Sequence, residues 1–122
     1  MGRVQLTTDE MGDVTVVHVA GELDKLAIDQ ARSGLDRLVT AGQLVVDLDG
    51  VTFIDSAGLH ALFGLARLAH QRGTGIALAV ADSSPTARVI GLVHLSDVVP
   101  VLQTVEDAAS ALRQVSRDGA TG

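Results

Sequence analysis

Leu44-Val45-Val46-Asp47-Leu48-Asp49-Gly50-Val51-Thr52-Phe53-Ile54-Asp55-Ser56-Ala57-Gly58-Leu59 changes character twice within sixteen residues. The first five, Asp47 apart, are apolar, with β-branched Val45 and Val46 among them, as expected of a strand covered on both faces. Asp49 to Ile54 reads as a turn and its exit, and Asp55-Ser56-Ala57-Gly58 punctuates the chain. A helix then runs from about Ala57 to Arg72, because Leu59, Leu62, Phe63, Ala66 and Ala69 recur at helical spacing on one face. Gly73-Thr74-Gly75 stops it, and Ile76 to Val80 follows as another apolar strand. Strand, helix and strand in that order point to parallel strands joined by a helical crossover.

The flanking sequence extends this pattern. Val4 to Leu6 and Val14 to Ala20 read as strands, separated by Asp9-Glu10-Met11-Gly12-Asp13, so they form an antiparallel hairpin. Gly21-Glu22-Leu23-Asp24 breaks the second strand, with Asp24 placed to cap a helix bearing Ile28, Ala31, Leu35 and Leu38. Gly42 ends that helix. Ser84-Pro85 opens a third helix. Val98 and Val99 make a short edge strand before Pro100. Thr104-Val105-Glu106-Asp107 starts a last helix, with Val105, Ala108, Ala109, Leu112 and Val115 as its stripe. The sequence thus predicts one α/β domain over 1–117: a hairpin leading into a mixed, mostly parallel sheet of four to five strands, with about four helices. Residues 118–122 read as a flexible tail.

Composition narrows the function. The chain has 122 residues, a formal net charge of −6, no cysteine, and two aromatic residues, Phe53 and Phe63. Without cysteine there is no disulfide, thiol nucleophile or thiolate-bound metal. An acidic chain with a single lysine, Lys25, makes a poor partner for nucleic acid or for a membrane surface. The polar N-terminus lacks the apolar run of a secretory signal, and no stretch is long enough to span a bilayer. A cytoplasmic protein is expected. Composition leaves its oligomeric state open between monomer and weak dimer.

Few residues offer chemistry. No phosphate-loop pattern is present, and Gly73-Thr74-Gly75 lies at a helix end, where a simple stop explains it. His18, His60, His70 and His94 lack paired metal-ligand spacing, so neither metal nor cofactor is expected. Ser56 and His60 share a helical turn, with Asp55 beside them. A hydrolase, however, needs an acid behind the histidine and an oxyanion hole, and the Gly-x-Ser-x-Gly elbow is missing. A phospho-accepting receiver domain, with Asp47 or Asp49 as acceptor, lacks the acidic pair and the late lysine it needs. An enzyme is therefore not expected. Asp55 and Ser56 fit a plain helix cap, yet a serine entering a helix is also reachable by another protein.

With these residues in place, the chain resembles the STAS family, named for sulfate transporters and anti-sigma factor antagonists. The resemblance spans nearly the whole chain. Gly21-Glu22-Leu23-Asp24 is similar to the family's loop before its first helix, and Val45 to Ile54 to its central strand and following turn. Asp55-Ser56-x-Gly58-Leu59 is similar to its phosphorylation motif, and Leu95-Ser96-Asp97-Val98 with Val101 to a later segment. The resemblance implies an antagonist that binds an anti-sigma factor, often itself a serine kinase, and so frees a sigma factor. Phosphorylation of Ser56 switches it off, and a serine phosphatase reverses the step. Ala57 stands where many members carry a second serine, which leaves Ser56 as the single acceptor of the motif. Asp24, Asp55, Ser56, Gly58 and Leu59 are then the partner-binding residues, although Asp24 fits a cap equally well and Leu59 fits the core. The same fold also serves as a subunit of ABC-type lipid transport complexes and as an adaptor in larger signalling assemblies. The intact serine motif favours the antagonist.

Overall fold

The computed structural model describes residues 4–121, with side chains through residue 114. Its elements run β1 (Val4–Met11), β2 (Val14–Leu23), α1 (Lys25–Ala41), β3 (Leu44–Ile54), α2 (Ser56–Arg72), β4 (Ile76–Ala79), α3 (Pro85–Leu92), a 3₁₀ turn (Leu95–Asp97), β5 (Val101–Leu102) and α4 (Val105–Thr121). The tail expected over 118–122 lies outside the residues whose side chains are described. The five strands lie in chain order, β1-β2-β3-β4-β5. β1 pairs antiparallel with β2, and every later pairing is parallel. The mixed α/β sheet expected from the sequence is the sheet observed.

Side-chain alternation sorts the core into two layers, as the period of two along a strand demands. Val17, Val19, Leu44, Val46, Leu48 and Leu78 turn toward one face. There they pack with Leu35 and Val39 of α1, Leu62 and Leu65 of α2, and Ile90 of α3. Val14, Val16, Val45, Ala77 and Ala79 turn the other way, onto Ala108, Ala109 and Leu112 of α4. Three helices therefore cover one side, and one helix covers part of the other.

Three strand boundaries differ from the sequence reading. β1 runs on to Met11, so only Gly12, at φ 66°, and Asp13 form the turn. β2 continues through Gly21-Glu22-Leu23, and β3 continues past Leu48 to Ile54. Two register shifts, between His18 and Ala20 and between Gly21 and Glu22, give β3 an extra residue each time. Such bulges absorb Asp and Gly residues that would otherwise end a strand.

The last strand lies after Pro100, not before it. The N–H groups of Val98 and Val99 both donate to the Leu95 carbonyl, at 3.0 and 3.2 Å, and so are lost to any ladder. Instead, the carbonyls of Pro100 and Leu102 accept from Leu78 and Val80. The strand is at the sheet edge, as expected.

Candidate functional site

β2 and β3 end side by side, with Leu23 paired to Ile54, and each leads at once into a helix. The same device starts both helices. Asp24 Oδ1 accepts from the Ala27 N–H at 2.9 Å, and Asp55 Oδ1 accepts from the Gly58 N–H at 3.0 Å. Each aspartate thus satisfies a first-turn amide that the helix cannot. Asp55 reaches further, its Oδ2 accepting from the Lys25 N–H at 3.3 Å, while its own N–H donates to the Leu23 carbonyl. One carboxylate therefore fastens the start of α1 to the start of α2, and brings Asp24 and Ser56 to the same edge.

Ser56 is the first residue of α2 and is exposed. Among the described residues its amide and that of Ala57 have no partner, whereas Gly58 and Leu59 donate to Asp55. Gly58 is buried, and a Cβ there would stand 2.3 Å from the Leu23 carbonyl oxygen. α2 can start this close to β2 because no side chain intervenes. Leu59 is half-buried and packs on the core, and Leu62 is fully within it. Of the five residues singled out from the sequence, four thus shape the loop or support it, and Ser56 is exposed.

Two neighbours of this edge escape the sequence reading. Leu26, in the first turn of α1, is 62% exposed, and Phe53, near the end of β3, is 50% exposed. Large apolar side chains on a surface mark contact sites when they gather around one feature. Leu26 falls off the apolar stripe of α1, which was the available signal. Phe53 sits beside a bulge, where alternation no longer reports the face. Glu22, Asp24 and Asp55 make the edge acidic. Among the described residues Lys25 is its one cation, paired with Asp29 at 3.2 Å.

No metal-binding set of three or more His, Asp or Glu residues occurs among the described residues. No described helix is long and apolar enough to cross a membrane. The family model of the STAS domain matches residues 5–108. The chain belongs to the STAS domain family. Among curated proteins it is similar to an anti-sigma F factor antagonist of Paenibacillus polymyxa, 28% identical over 117 residues, covering 93% of this chain and 98% of that one. Among solved structures, an anti-sigma factor antagonist from Mycobacterium paratuberculosis superposes with a TM-score of 0.80 at 26% identity, covering 91% and 95% of the two chains. The phosphorylated form of the Bacillus cell fate determinant SpoIIAA shares the fold, with a TM-score of 0.61 at 22% identity over 88% and 98%.

Proposed function

We propose that this STAS protein is an anti-sigma factor antagonist that docks through the β2–α1 and β3–α2 edge and is switched off by phosphorylation of Ser56. The observation that carries the reading is the exposed Ser56 at the head of α2, on the edge where the first turn of α1 and the end of β3 leave Leu26 and Phe53 exposed as well. A relative bearing the antagonist name over nearly its whole length supports it. The partner is an anti-sigma factor with serine kinase activity, and a serine phosphatase restores the binding form in the cytoplasm. Leu26 and Phe53 provide the apolar contact area, and Asp24, Asp55, Gly58 and Leu59 hold the loop in its docking shape.

The switch is local electrostatics. Phosphorylation adds about −1.5 to −2 charges at neutral pH. Within the antagonist, the two free amides at the start of α2 receive that charge, so the fold persists. At an interface the same group meets Asp55, loses water and blocks close packing. A loss of roughly 2–3 kcal/mol lowers affinity about 30- to 150-fold, enough for a working switch.

The test uses the anti-sigma factor recovered by pull-down with S56A. The S56A variant binds within about twofold of the unmodified protein and takes no label from ATP in the presence of that kinase. S56E binds about 30-fold or more weakly by calorimetry. Label retained in S56A, or undiminished affinity in S56E, rejects the proposal.

A further inference from the structure

The α4 side of the sheet holds a histidine that the Ser56 edge does not use. His18, on β2, places Nδ1 2.6 Å from Asp47 Oδ2 and Nε2 2.9 Å from Asp9 Oδ2. A neutral imidazole has one N–H and one bare lone pair, so it donates to only one carboxylate. Its other nitrogen then faces an oxygen, lone pair against lone pair. Only the imidazolium satisfies both contacts.

The three side chains lie on successive strands. Asp47 of β3 is the parallel partner of His18, and Asp9 of β1 lies two residues beyond Thr7, its antiparallel partner. The polar line continues across the sheet: Asp47 Oδ1 accepts from the Asp49 N–H at 3.0 Å, and Asp49 Oδ1 accepts from the Ala81 N–H at 2.8 Å. α4 leaves this part of the face uncovered, and a cleft of about 400 Å³ opens there. The charged groups on the His18 side are Asp9 from β1, Asp47 and Asp49 from β3, and Glu106 from the start of α4, while the Glu10 carboxylate is turned to the Thr15 hydroxyl, from which it accepts at 3.3 Å. All are acidic. Most residues of β1 are exposed, and its apolar contacts, from Val4, Leu6 and Met11, lie toward its two ends.

We propose that His18 is a proton-operated clasp, tying edge strand β1 to β3 through Asp9 and Asp47 when charged and loosening it when neutral. The hydrogen bond that His18 donates to the Asp47 carboxylate is the main influence raising the His18 pKa above its ordinary 6.5; burial opposes it, and Asp9 adds to it. A group whose folded pKa is raised contributes fully below its unfolded pKa and loses that contribution as pH rises through the folded value. The clasp is therefore closed below pH 6.5 and opens on the alkaline side.

The experiment follows the His18 ring by NMR and β1 amide exchange against pH, in the wild-type protein, D9N and H18Q. Asp9 is 72% exposed, so D9N removes a charge without threatening the fold. The expected wild-type midpoint lies above 6.5, and D9N moves it down. β1 protection, divided by that of H18Q at each pH to remove the intrinsic rate, stays level below pH 6.5. Above it the ratio falls by up to about tenfold per pH unit until His18 is neutral. A wild-type midpoint at or below 6.5, an unmoved midpoint in D9N, or a pH-independent ratio each overturns the clasp.

Discussion

A methyl group at Gly58 would stand 2.3 Å from the Leu23 carbonyl oxygen and 2.8 Å from Ile54 Cγ1. Both neighbours belong to the sheet, so α2 must lift away to admit it. Gly58→Ala is expected to destabilise the fold by about 1–3 kcal/mol, the range for overpacking a tight site. At Gly34, within α1, an added Cβ meets nothing within 4 Å. Gly34→Ala is expected to stabilise by about 0.5–1 kcal/mol through helix propensity and a less entropic unfolded chain. Urea denaturation of the two variants separates them by sign, and equal effects would contradict the packing account. The sequence marks Gly58 as part of a motif but gives no sign of the carbonyl that demands it. That reason comes from a distant strand, whereas the caps at Asp24, Asp55 and Ser84 are local and can be read directly.

Helices were more legible than strands at the scale of elements, for a physical reason. A helix carries its own start, stop and stripe, as α2 does with Asp55, Gly73 and its apolar face. A strand depends on its partner. Asp49 and Gly50 look like breakers in isolation, yet they stay in β3 because a bulge accommodates them and Asp49 finds the Ala81 amide. Helix starts also decide the geometry of the site. Asp55 caps α2 and holds the first amide of α1, so Asp55→Ala disconnects both. The expected loss is about 1–2 kcal/mol, and Asp55→Asn, which retains a capping oxygen, recovers most of it. Thermal or urea melts of the two variants provide the comparison. A D55A protein as stable as wild type would mean that the cap holds no structure.

For the whole molecule, the covering of the sheet divides stability from recognition. The sheet and the three helices on its one side bury Leu23, Leu35 and Leu65, while the edge where β2 and β3 end keeps Leu26 and Phe53 outside. Hydrophobic patterning marks Leu35, because burial imposes a period, but it leaves Leu23 in a strand break and Leu65 off the α2 face, although both are buried. It could not reveal Leu26 or Phe53, because nothing in this chain alone forces an exposed apolar side chain into a period. The two groups therefore respond differently to truncation. Leu35→Ala, at 3% exposure, removes a buried side chain and is expected to cost about 2–5 kcal/mol. Leu26→Ala and Phe53→Ala remove side chains that folding leaves at least half exposed, so each is expected to cost no more than about 1 kcal/mol, less than Leu35→Ala. If the edge is a docking surface, these same changes remove apolar area from its interface, and each lowers affinity for the recovered anti-sigma factor by about tenfold or more. Denaturation and calorimetry on the same preparations make the comparison direct. A loss of stability in L26A and F53A as large as that in L35A would assign both residues to the fold, while unchanged affinity with stability nearly unchanged would move the interface elsewhere on the molecule.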